Sequence, residues 1–167
     1  YTSAVDTTHG LITFDEHESI EFANKDQLII NAGAGHDTIG INNVSTPDGL
    51  DFIRVNGGDP SSGDTLVVTG VGAGVSVNTG GLVPTITGAT GAAGAVDIRF
   101  TTIESLNLLA GIGDLTITTT GADDTAEVTP GLAAGANSGT VQSSGAVPQI
   151  AFVNSGTFTA SFGLGHD

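Results

Sequence analysis

Short runs of β-branched and apolar residues recur along this chain, each bounded by glycine, proline, asparagine or aspartate. They fall at Gln27–Asn31, Thr38–Ile41, Asp51–Val55, Thr65–Val68, Val75–Val77, Thr85–Thr87, Asp97–Phe100, Ser105–Leu109, Leu115–Thr119, Thr125–Val128 and Ile150–Val153. Their spacing of about 8–13 residues, with turn formers between, is that of a sandwich, a barrel or a β-solenoid. Apolar positions alternate at Ile20 and Phe22 and again at Leu106 and Leu108, so one face of each of these strands is expected to be buried. Helix signals are nearly missing, because 26 glycines interrupt most longer stretches. The expected class is all-β.

Two longer segments carry the same elements in the same order. Phe14, Glu18-Ser19-Ile20-Glu21-Phe22, Leu28, Ile30 and Asp37-Thr38 align with Phe100, Glu104-Ser105-Leu106-Asn107-Leu108, Leu115, Ile117 and Asp124-Thr125, about 86 residues further on. An internal duplication, roughly 10–44 and 96–130, is therefore expected within one β-rich module spanning 1–167. Short strands, this duplication and the scarcity of Asn-Gly hairpin turns favour a parallel β-solenoid. Two small β-sandwich domains are the runner-up. Val71–Ala95 and Gly131–Val147 are rich in small residues and read either as linkers or as thin, closely packed strands.

Composition narrows the partners. Eighteen acidic residues stand against three basic ones, Lys25, Arg54 and Arg99, for a net charge of −15. Such a surface repels nucleic acid and anionic membranes and attracts divalent cations. Cysteine is absent, so no disulfide staples the fold. No apolar run approaches the roughly 20 residues that span a bilayer as a helix, so membrane insertion is not expected. Methionine is absent and the first residue is Tyr1, which leads to the expectation of an excised piece whose signal peptide lies elsewhere.

The stretch with the most chemistry is Gly33-Ala34-Gly35-His36-Asp37-Thr38-Ile39. Its core returns at Gly121-Ala122-Asp123-Asp124-Thr125 and opens again at Gly163-Leu164-Gly165-His166-Asp167, and Gly57-Gly58-Asp59-Pro60-Ser61-Ser62-Gly63-Asp64-Thr65 is an expanded relative. The segment resembles one turn of the glycine-rich nonapeptide of RTX (hemolysin-type) proteins. That resemblance implies glycine turns whose carbonyls, with an aspartate, hold calcium. Carried over by position, it implies Asp37, Asp64 and Asp124 as ligands with Gly33 and Gly35 setting the turn, and Asp59 and Asp123 in the same segments complete the metal-ligating candidates. The copies here stand alone rather than back to back, and Ala32 takes the place of the first glycine. The wider arrangement is similar to large, secreted surface repeat proteins of bacteria. The other reading of these aspartates is turn capping, in which each carboxylate bonds nearby backbone amides and nothing else.

Two further clusters carry candidate chemistry. Asp15-Glu16-His17-Glu18 combines carboxylates with an imidazole, as a transition-metal site would, but strand alternation separates His17 from Glu16 and Glu18 and points to a charge-protected edge. Asp123, Asp124 and Glu127 offer the paired carboxylates of a glycosidase, without the aromatic platforms or basic groups a sugar cleft uses. Nothing resembles a nucleophile elbow, and the phenylalanines are expected in the core. The function expected is a non-catalytic structural or adhesive module, secreted or on a cell surface, with calcium as the candidate ion. The alternative is a polysaccharide-binding or polysaccharide-degrading β-helix domain. The motif interrupted at Asp167 suggests self-association through the chain ends into filaments.

Overall fold

The computed structural model describes residues 2–3, 8–13, 15, 17–42, 46–59, 63–69, 74–89, 96–119, 123, 125–131, 138–143, 148–154 and 156–163. Every regular element among them is a strand: β1 (Thr2–Ser3), β2 (Gly10–Ile12), β3 (Ile20–Phe22), β4 (Gln27–Ala34), β5 (Thr38–Ile41), β6 (Phe52–Asp59), β7 (Thr65–Thr69), β8 (Gly74–Asn78), β9 (Thr85–Thr87), β10 (Asp97–Thr101), β11 (Ser105–Ile112), β12 (Asp114–Thr118), β13 (Ala126–Pro130), β14 (Ser138–Ser143), β15 (Gln149–Asn154) and β16 (Phe158–Ser161). The protein is all-β, as its alternation dictates. Among the described residues no helix is long and apolar enough to cross a membrane.

Three sheets form. β1, β2 and β3 make a small antiparallel sheet, a seven-stranded sheet runs β16-β12-β8-β9-β10-β6-β4, and a six-stranded sheet runs β13-β14-β15-β11-β7-β5. From β4 to β8 and from β10 to β13 consecutive strands alternate between the two large sheets, and β4, β6 and β10 stack in parallel in one while β5, β7, β11 and β15 stack in parallel in the other. Both large sheets take strands from both halves of the chain, which does not divide it into two separate sandwiches. β9, β13 and β14 pair antiparallel.

Register turns the alternation into ladders. Ile39, Leu66, Leu106 and Ile150 stand side by side on four neighbouring strands, and Ile41, Val68, Leu108 and Phe152 do the same one pleat on. All eight are buried. From the facing sheet, Ile53 and Ile98 form one inward pair and Val55 and Phe100 the next. Each fully buried side chain of this size contributes about 1.5–3 kcal/mol, and Phe152 also stacks on Phe158 with ring centroids 4.9 Å apart.

The two segments aligned by sequence have different surroundings. Leu106 and Leu108 are core, whereas Ile20 lies in the small antiparallel sheet and is 53% exposed. Leu28 is in register with Ile53, and Leu115 with Val75. The acidic cluster also departs from expectation. Asp15 is in a turn with φ +34, and His17 and Glu18 lie outside the strands, in the connection between β2 and β3. Strand alternation is therefore not what separates them. Phe14 and Glu16 lie outside the described residues.

Candidate functional site

β5, β7 and β11 are each preceded by an acid: Asp37, Asp64 and Glu104. At that corner the backbone has left one sheet and not yet joined the next, so its amides need partners outside the β-ladder. The acids supply them. Asp64 Oδ1 accepts the backbone N–H of Asp37 at 2.9 Å, and Glu104 Oε2 accepts that of Asp64 at 2.9 Å. Backbone bonds reinforce the stack: the Thr65 amide donates to the Asp37 carbonyl at 2.8 Å, and the Glu104 and Ser105 amides both donate to the Asp64 carbonyl at 3.1 Å. The next layer presents Pro148, which has no N–H to cap, and the Gln149 amide donates to the Glu104 carbonyl at 2.9 Å.

Each acid has a second oxygen. Asp64 is 0% exposed. Its Oδ2 and the Oδ2 of Asp37 are sealed from solvent with no hydrogen-bond partner among the described residues. Gly57 closes over the Asp64 carboxylate. A Cβ at Gly57 would come 2.5 Å from Asp64 Oδ2 and would collide with the Thr102 carbonyl. Thr102 itself is held in the left-handed region at φ +51, and its hydroxyl accepts the Gly58 amide at 2.9 Å.

Five of the seven metal-ligating candidates converge on this corner. Gly33 is the register partner of Gly58, and Ala34 of Asp59. The Gly35 amide donates to the Asp59 carbonyl at 3.0 Å, and Asp37 bonds Asp64. The Asp59 side chain is exposed at the end of β6. Asp123 is elsewhere: it is exposed just before β13, the edge of the six-stranded sheet opposite β5. Asp124 lies outside the described residues, so its grouping with Asp123 and Glu127 has no structural account, and Glu127 is exposed on β13. Among the described residues no group of three or more His, Asp or Glu is placed to hold a metal ion. Two unpaired carboxylate oxygens suit a hard cation in kind, but they are fewer than the six to eight oxygens that calcium takes.

Glu104 is the site residue that the motif reading left out. Its signal was present as an acid, a hydroxyl residue and a large aliphatic: Asp37-Thr38-Ile39, Asp64-Thr65-Leu66, Glu104-Ser105-Leu106. A glycine-based template does not find it, because no glycine turn precedes Glu104.

A cleft of about 440 Å³ opens beside the corner, between Ile12 and Thr13 of the small sheet's side and Ile29, Asn31, Asp37 and Ile39 of the first large-sheet strands. β4 and β5 are the outermost strands of their sheets here, and Ile29 is 50% exposed. Compared with protein-family models, curated proteins and solved structures, the chain matches none of them.

Proposed function

We propose that this chain is a non-catalytic structural and adhesive module of a secreted or cell-surface repeat protein, built as a parallel β-solenoid. The observation that carries the reading is the stack Asp37–Asp64–Glu104, in which each layer's acid closes the corner of the layer before it. A stack of this kind extends by adding layers, which is what a repeat protein needs. β4 and β5 stand at the ends of their sheets, so a second copy added head to tail there is the route to a filament.

Calcium is the ion proposed for the corner, where it would give Asp37 Oδ2 and Asp64 Oδ2 the partner they lack. The test is a thermal melt followed by circular dichroism, in EDTA and after adding back millimolar calcium. An ion that binds the native state stabilises it by about 2.7 kcal/mol at a hundredfold excess over Kd. The expected result is a rise in Tm that Asp64→Ala abolishes. An unchanged Tm would reduce the three acids to backbone caps and remove calcium from the proposal. Static light scattering over a concentration series tests assembly, and a strict monomer throughout would remove the filament. The second reading, a polysaccharide-binding β-helix domain, is favoured by one pair of residues outside this corner.

A further inference from the structure

Two of the three basic residues in this chain of net charge −15 stand side by side. Arg54 on β6 and Arg99 on β10 are register partners on adjacent parallel strands, with backbones about 4.8 Å apart. Their neighbours Ile53, Val55, Ile98 and Phe100 point into the core, so both arginines project from the outer face of the seven-stranded sheet. Arg54 is exposed and Arg99 half-buried. Like charges placed directly opposite on neighbouring strands destabilise a sheet. Among the described residues no carboxylate pairs with either guanidinium, although Asp97 sits on the same face two positions before Arg99. What holds Arg99 is an aromatic ring: its Cζ lies 4.2 Å from the Phe52 centroid.

Two neighbouring rows around the pair are rich in hydrogen-bonding groups. Asn31 and Asn56 are register partners on one side of it, with Thr101 next in line. The arginines' own row runs from Ile29 on β4 through Arg54 and Arg99 and on across the sheet through Thr85, Asn78, Thr118 and Ser161. We infer that this face binds an anionic polysaccharide, with uronic-acid carboxylates on Arg54 and Arg99, where two adjacent guanidinium groups locally offset the repulsion of a chain of net charge −15, and sugar hydroxyls along the two rows. A guanidinium fork matches a carboxylate through two parallel hydrogen bonds, and a second guanidinium beside it doubles the local charge. A carboxylate between them also relieves the repulsion that the register imposes. An acidic side chain from a second copy would satisfy the arginines but leave the rest of the two rows unused, which is why the extended ligand is preferred. The inference rests on the adhesive half of the reading above and is independent of calcium and of assembly.

Affinity electrophoresis and calorimetry of the intact chain with polygalacturonate, against neutral dextran, test it. Polygalacturonate is expected to retard the protein and dextran to leave it unaffected. Arg54→Gln and Arg99→Gln should each weaken binding about tenfold, Lys25→Gln should bind as the wild type does, and raised salt should weaken the interaction. Thermal melts of the variants establish that they are folded. Three results would overturn it: no retardation of the wild type, equal retardation by dextran, or binding that survives both arginine substitutions. If the wild type ignores polygalacturonate while Arg54→Gln abolishes self-association in ultracentrifugation, the pair belongs to a contact between copies. The melt in EDTA and calcium reads the structural proposal separately, so either can fail without the other.

Discussion

Asp64 Oδ1 accepts the backbone N–H of Asp37 at 2.9 Å, while its other oxygen lies in the interior with no donor. The two halves of one carboxylate thus have opposite energetic signs. A charge-assisted bond to an otherwise orphaned amide stabilises the corner, and an unsatisfied buried acceptor costs about 1–3 kcal/mol.

Asp64→Asn and Asp64→Ala separate those two contributions. The asparagine keeps an acceptor for the Asp37 amide and turns an NH2 group toward the flank of Gly57, where the Thr102 carbonyl also lies. In urea unfolding with EDTA present, Asp64→Ala is expected to lose about 2–3 kcal/mol, and Asp64→Asn less than about 1 kcal/mol. Equal losses would show that the stack depends on the negative charge and not on the hydrogen bond.

Glu104 and Glu18 occupy matching positions in two nearly identical sequences, Glu104-Ser105-Leu106 and Glu18-Ser19-Ile20. The structure distinguishes them. Glu104 is half-buried and bonds the Asp64 amide, whereas Glu18 is exposed in the connection before β3. Glu104→Ala is expected to cost about 1–2 kcal/mol by leaving that amide uncapped, and Glu18→Ala to fall within about 0.5 kcal/mol of the wild type. Similar losses on urea unfolding would restore the two segments to equivalent roles.

That pair shows what local pattern does and does not carry. Strands with strong period-two alternation were legible: Thr38–Ile41 and Thr85–Thr87 match the expected runs residue for residue, and Thr65–Val68 falls short of β7 by one. β14 and β16 were not, because Ser138–Ser143 and Phe158–Ser161 present mostly small or hydroxyl side chains. Partner choice was hidden as well. Asp37 and Asp64 were each visible as aspartates after glycine turns, but their bond depends on stacking β5 against β7, and Glu104 joins only through the next layer. The adjacency of the two arginines was hidden for the same reason, since residues 54 and 99 become neighbours only through the pairing of β6 with β10.

Core and surface leucines offer a direct test of that stacking. Leu106 is fully buried between Leu66 and Ile150, so Leu106→Ala should cost about 2–5 kcal/mol through lost burial and a residual cavity. Leu82, at 106% exposure, touches solvent on all sides, and Leu82→Ala is expected to stay within about 0.5 kcal/mol. A Leu106→Ala protein as stable as the wild type would mean that β7, β11 and β15 do not share the ladder described.

Gly33 and Gly58 are register partners, and both adopt positive φ, +106 and +109. The consequences of adding a side chain differ between them. Nothing lies within 4 Å of a Cβ built at Gly33, whereas one at Gly58 would run into the Gly33 carbonyl. Gly33→Ala therefore meets only backbone strain, about 1–2 kcal/mol. Gly58→Ala adds a backbone clash that no rotamer relieves, so the loss should exceed that of Gly33→Ala by more than about 1 kcal/mol. Urea unfolding of both variants checks the order. The reverse order would mean that β4 and β6 do not approach each other at this pair, and the corner that holds Asp37 and Asp64 would lose its geometric basis.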